Sequence, residues 1–157
     1  MGGRIFLGFA ALLLTLPYQS ASQQEAWFGT WNLNLSKSTY RYDSPYKRVT
    51  SRIEPWEDGL KVTYDMVGTR GGVTHMEWTG RFDGKDYAVQ GVDDYILTNA
   101  YRRIDDRTYE IVVKKEGAVV ATSRVVVSPD GKTLQVATEE RSPRGQTVNT
   151  TAVYEKQ

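Results

Sequence analysis

The sequence predicts an all-β fold, an antiparallel up-and-down β-barrel of about ten strands. Three observations carry that prediction. Apolar and polar residues alternate with a period of two through most of residues 27–157, the mark of strands with one buried face. Short turn signals rich in Gly, Asp and Pro separate these runs, so neighbouring strands fold back on one another as a meander. The composition, with ten Tyr and four Trp and frequent Val and Thr, suits strands, and nothing after residue 22 shows the 3.6-residue apolar spacing of a helix. Ten strands are more than a flat open sheet usually holds, and closing the sheet removes its edges. A two-sheet sandwich meets the same turn spacing and is the competing architecture.

The chain opens with Arg4, a nearly unbroken apolar run from Ile5 to Leu16, then Pro17 and the small residues Ser20-Ala21-Ser22. This is the layout of a secretory signal. The run of about 12 residues falls short of the roughly 20 that a bilayer-spanning helix needs. Residues 1–22 are therefore expected to be a cleaved signal peptide, and residues 23–157 a single β-barrel domain in a secreted or periplasmic protein. No membrane insertion of the mature chain is expected. There is no Cys, hence no disulfide, no thiol chemistry and no lipid-bearing Cys after the apolar run. An apolar core must supply the stability, and roughly 135 mature residues suffice for one.

The elements follow in order. Phe28-Gly29-Thr30-Trp31-Asn32-Leu33-Asn34-Leu35 places Trp31, Leu33 and Leu35 on one face of a first strand. Residues 36–46 are polar, carry Pro45 and three Tyr, and read as an exposed loop. Val49, Ser51 and Ile53 form one face of the next strand, and Glu57-Asp58-Gly59 turns the chain. Leu60, Val62, Tyr64 and Met66 alternate with Lys61, Thr63 and Asp65. Gly68 to Gly72 is a turn. Thr74, Met76, Trp78 and Phe82 alternate with His75, Glu77 and Arg81. Asp83-Gly84 is a hairpin signal, followed by a short strand from Lys85 to Val89 and a break at Gly91 to Asp94. Tyr95 to Ile104 carries apolar groups on both faces. Tyr109, Ile111 and Val113 share a face, and Glu116-Gly117 turns into the two-sided run Ala118 to Val127. Pro129-Asp130-Gly131 is a turn. Leu134, Val136 and Thr138 share a face before the turn at Pro143-Arg144-Gly145. Val148 to Tyr154 completes the chain.

The formal net charge is +1, with Lys and Arg spread evenly, so neither nucleic acid nor an anionic membrane is an expected partner. His75, the single His, shares a face with Glu77 and Arg81 and reads as a solvated position. No Gly-x-Ser-x-Gly elbow, metal-ligand cluster or phosphate-binding Gly loop is present. The paired carboxylates Asp93-Asp94, Asp105-Asp106 and Glu139-Glu140 read as turn chemistry or as residues on opposite strand faces. No enzyme, metal or cofactor is expected.

Phe28-Gly29-Thr30-Trp31-Asn32-Leu33 resembles the Gly-x-Trp opening of the calycins, the lipocalins and fatty-acid-binding proteins. Val153-Tyr154-Glu155-Lys156 resembles the C-terminal end of fatty-acid-binding proteins. The chain also looks like small secreted bacterial proteins with a lipocalin-like domain. The resemblance implies a closed barrel, with Trp31 at its closed end and the first strand beside the last near Tyr154. Two departures are visible. The segment 36–46 is too short for the helix–turn–helix lid of fatty-acid-binding proteins. Ala152 stands where that family places an Arg for the fatty-acid carboxylate, two residues before the final Tyr.

The leading functional expectation is non-catalytic binding of a small apolar or amphipathic molecule in the lumen. Candidate ligand-binding residues are Trp31, Tyr64, Trp78, Tyr101, Arg124 and Tyr154. Arg124 stands mid-strand: facing inward it could hold an anionic headgroup, but the more apolar opposite face (Val119, Ala121, Ser123, Val125, Val127) favours an outward placement. The alternative function is a filled-core interaction or structural protein of the cell envelope. The two differ in lumen volume, and a lumen below about 300 Å³ would exclude the ligand.

Overall fold

The computed structural model describes residues 25–40, 44, 46–142 and 144–157. Residues 1–24, which include the expected signal peptide, residues 41–43 and 45 of the polar loop, and Pro143 lie outside the described residues. Ten strands form one closed antiparallel barrel in meander order, with β1 hydrogen-bonded to both β2 and β10. The strands are β1 (Gly29–Leu33), β2 (Tyr46–Trp56), β3 (Gly59–Gly68), β4 (Val73–Arg81), β5 (Tyr87–Gln90), β6 (Leu97–Arg103), β7 (Thr108–Lys115), β8 (Ala118–Val127), β9 (Thr133–Arg141) and β10 (Thr147–Lys156). The barrel closes where Leu33 pairs with Tyr154. The sandwich alternative is thereby excluded.

Local chemistry explains most boundaries. Between β7 and β8 the loop is Glu116-Gly117, with φ of 51° and 80°. A two-residue loop with both residues at positive φ is the type I′ hairpin, whose twist matches that of its strands. Asp83, Asp105 and Asp130 accept the backbone N–H two residues on, at 3.0, 2.8 and 3.1 Å. The amides of Lys85 and Arg107 hold Asp83 and Asp105 below the usual carboxylate range. The Ser128 hydroxyl does the same for Asp130, ahead of its backbone bond. These carboxylates make turns, as their residue preference suggests.

Three boundaries differ from the sequence expectation. β1 ends at Leu33, because Leu35–Lys37 forms a single 3₁₀ turn. The Asn34 side chain caps it, accepting from the Lys37 N–H at 3.2 Å. Leu35 is consequently turned out to solvent, where strand alternation had placed it with Trp31. β5 begins at Tyr87, since Asp83 ties Lys85 into the turn. β6 begins at Leu97, leaving Tyr95 and Ile96 exposed. The Lys115 ammonium covers the Tyr95 ring at 3.8 Å.

One end of the barrel is packed solid with aromatic rings. Trp27 stands edge-on to Tyr109 at 5.1 Å and lies 5.6 Å from Phe82. Tyr101 lies 6.3 Å from both Phe82 and Tyr109. The Arg103 guanidinium sits 5.1 Å over Trp27 and 5.7 Å over Phe82, and pairs with Glu25. Such an arrangement combines cation–π attraction with a screened ion pair. Trp31 Nε1 donates to the Trp27 carbonyl at 2.8 Å, and the Lys156 ammonium caps the Trp31 ring at 5.1 Å. Gly80 fits the same packing, for a Cβ there would lie 2.4 Å from the Tyr101 ring.

Candidate functional site

Beyond the aromatic plug the lumen is open. A cavity of about 450 Å³ occupies the other half of the barrel. That exceeds the low end of ligand-pocket volumes, about 300 Å³. Its walls come from the inward positions of β3 to β10. Met76, Val89, Leu97, Ile111, Val113, Val136 and Ala152 supply most of the apolar surface. A β-bulge interrupts one wall. In the β7–β8 ladder Val113 pairs with Ala121 and Lys114 with Val119, so Val120 is left over. Such an extra residue bends its strand and shifts the alternation, and Val120 and Ala121 both border the cavity.

Three aromatic side chains form one side of the cavity. Tyr64 stacks on Trp78 with centroids 5.3 Å apart and planes 15° from parallel. Tyr154 meets Tyr64 edge-on at 6.4 Å. Burial pushes the Tyr64 and Tyr154 phenols up from their ordinary value, so both stay neutral at physiological pH. Tyr64 is only half-buried by area because it borders the lumen.

The remaining polar groups are uncharged. Ser123 Oγ and Thr138 Oγ1 lie 2.8 Å apart across the β8–β9 ladder. The Asn99 side chain, 5% exposed, donates from Nδ2 to the Tyr101 hydroxyl at 3.4 Å. Its Oδ1 has no partner among the described residues. An unpaired buried carbonyl oxygen costs about 1–3 kcal/mol. Charge enters only at the end of β9, where Glu140 and Arg141 border the cavity and are exposed.

The six candidate residues divide. Tyr64, Trp78 and Tyr154 line the cavity together. Trp31 and Tyr101 do not border it. Both are essentially fully buried and belong to the packed end, so large aromatic size marked core there. Arg124 is corrected outright as a lumen residue: it lies on the outer wall, its side chain 54% exposed, with Nη1 3.4 Å from Glu110 Oε1. Glu110 also takes Arg102 at 2.5 Å. Strand parity is the physical reason, since Ser123 and Val125 on either side of Arg124 are buried. His75 lies on the outer face with Nδ1 2.8 Å from Asp65 Oδ1, both side chains 59% exposed.

Alternation had placed the lining residues Ser123 and Thr138 on apolar strand faces, and it could have found Asn99 in the same way. It shares its face with Leu97 and Tyr101, and only its polarity kept it off a list of apolar positions. Val120 carried no such signal, because a bulge breaks the alternation that would reveal it.

Among the described residues no group of three or more His, Cys, Asp or Glu could hold a metal, and no helix is long and apolar enough to cross a membrane. No protein-family model matches the chain, and no curated protein matches it. Solved structures do. Zebrafish ileal bile acid-binding protein, complexed with cholic acid, superposes with a TM-score of 0.53 at 11% identity, covering 84% of this chain and 99% of that one. The siderocalin Ex-FABP matches with a TM-score of 0.45 at 14% identity, over 84% of this chain and 71% of that one. With the ten-stranded closure and the meander order, the first of these shows that this chain folds as a calycin-like barrel.

Proposed function

We propose that the protein is an exported, non-catalytic binding protein that holds one small apolar or amphipathic molecule in its barrel. The observation that carries this is the cavity of about 450 Å³, lined mainly by apolar side chains and sealed at one end by the aromatic plug. At roughly 30 Å³ for each water-sized group, it takes on the order of 15 non-hydrogen atoms. The filled-core alternative accounts for Trp27, Trp31, Tyr101 and Tyr109 but leaves the other half of the lumen without a use. The cholic acid complex of the zebrafish protein is consistent with ligand binding, and the cavity of this chain supports it independently. Export is supported by the signal-like layout of residues 1–22.

The test is native mass spectrometry of the protein purified from its own host, beside the variant Ala152→Trp. Ala152 borders the cavity, and an indole there fills much of it. The expected result is a co-purified small molecule on the wild type and none on the variant, with the same far-UV circular dichroism for both. A wild type that carries nothing, and takes up nothing from a lipid extract of the host, would overturn the proposal.

A further inference from the structure

The lumen's polar groups carry a pattern that composition alone would not show. Tyr64, Tyr154, Ser123, Thr138 and Asn99 are hydroxyls or an amide, all neutral. No cation or anion stands among them. The two charged lining residues, Glu140 and Arg141, are sequence neighbours of opposite sign at the exposed end of β9. Both are exposed and lie where water already screens them. Inside, a charged ligand group would lose its hydration and meet no counter-ion, which disfavours it even after relaxation.

A neutral group that both donates and accepts meets the opposite situation. Ser123 Oγ and Thr138 Oγ1 use one proton between them, which leaves one hydroxyl proton and free lone pairs for a third partner. Asn99 is more than nine-tenths buried on a cavity-facing strand position and has an amide oxygen with no partner. Its single bond, to the Tyr101 hydroxyl, is long at 3.4 Å. The amide can therefore turn toward a better partner at small loss. The Tyr64–Trp78 stack presents an aromatic side to whatever body carries that group.

From these observations we infer that the lumen selects a neutral lipophile bearing a hydroxyl or carbonyl group, and rejects carboxylates and ammonium ions of the same shape. This rests on the lumen-binding proposal above and sharpens it to a ligand class. The recognition is by unpaired neutral hydrogen-bonding groups, which a hydroxyl satisfies and an apolar body alone leaves stranded.

The experiment uses three compact probes with one shared cage, so that a charged head cannot reach bulk water on a flexible tether. They are 1-adamantanol, 1-adamantanecarboxylate and 1-adamantylammonium, titrated calorimetrically into the whole protein at neutral pH. The alcohol is expected to bind at least ~10-fold tighter than either ion, a difference of about 1.4 kcal/mol. Thr138→Arg, which adds a cation to the lumen wall, is expected to reverse the order in favour of the carboxylate. Asn99→Leu is expected to weaken the alcohol by ~5-fold or more, with the thermal midpoint recorded to confirm folding. If either ion binds the wild type as tightly as the alcohol, the neutral-ligand assignment is wrong, while lumen binding stands. If no probe binds the wild type, and Ala152→Trp behaves as the wild type does, the lumen-binding proposal fails with it.

Discussion

Raising the pH above 10 is expected to unfold this protein through its tyrosines. Tyr101, Tyr109 and Tyr154 are buried, at 1%, 2% and 6% exposure, and burial pushes all three phenols above the ordinary value of 10.0. A phenol that stays protonated in the fold but ionises in the unfolded chain draws the equilibrium toward unfolding as pH rises. Its stabilising effect is whole below the unfolded pKa of 10.0 and is lost between that value and the raised folded one. Each such group lowers stability by about 1.4 kcal/mol per pH unit in that window. Because an unfolded phenol is only half ionised at pH 10 and approaches that slope only above it, three acting together give about 3 kcal/mol between pH 10 and 11, a large part of the 5–15 kcal/mol typical of a domain. Tyr64 adds less, because its free face borders the lumen. The assay is urea unfolding at pH 8, 9, 10 and 11, followed by circular dichroism, with phenolate absorbance recorded alongside. The reasoning would be refuted by a midpoint that holds steady to pH 11, or by all tyrosines of the folded protein ionising together near 10.

Gly80→Ala is expected to destabilise the barrel by about 1–3 kcal/mol, because the new methyl group meets the Tyr101 ring in packing that has no slack; a thermal midpoint equal to the wild type would count against this. Arg124→Ala is expected to change stability by no more than about 0.5 kcal/mol and to leave ligand uptake unchanged, since its partner contact is exposed and long; a loss of uptake would return Arg124 to the site. Arg103→Ala is expected to cost about 1 kcal/mol, through the two ring faces it covers and its bond to Glu25; equal urea midpoints would show that the plug holds without it.

The barrel was readable in the sequence because each strand keeps its own alternation and each turn its own chemistry. Val49, Ser51 and Ile53 are buried as their spacing requires, and the Asp-Gly and Glu-Gly turns fall where they were read. The lumen was harder, for a physical reason. Period two says which side chains point inward but not how far along the axis they lie or how much space they leave. Trp31, Tyr64, Trp78 and Tyr101 are all large inward aromatics, yet two plug one end and two border the cavity. That division depends on register between strands distant in sequence, such as the level at which Tyr101 faces Gly80. Leu35 shows the other failure, where a capping Asn34 overrode a strand pattern with a local hydrogen bond.

The seam between β1 and β10 also sets the order in which the barrel can form. Asn34 and Glu155, bonded at 3.0 Å, are 121 residues apart, whereas every other neighbouring pair of strands is consecutive. Hairpins from β2 to β10 can zip one after another, each paying a short loop closure. β1 gains its second partner only when the final strand arrives. Until then the growing sheet has two raw edges, at β1 and at whichever strand was last added, and such edges pair with other chains. Folding should therefore show a late, slow step that belongs to this seam. Destabilising pairs within it should speed unfolding far more than they slow the earlier zipping.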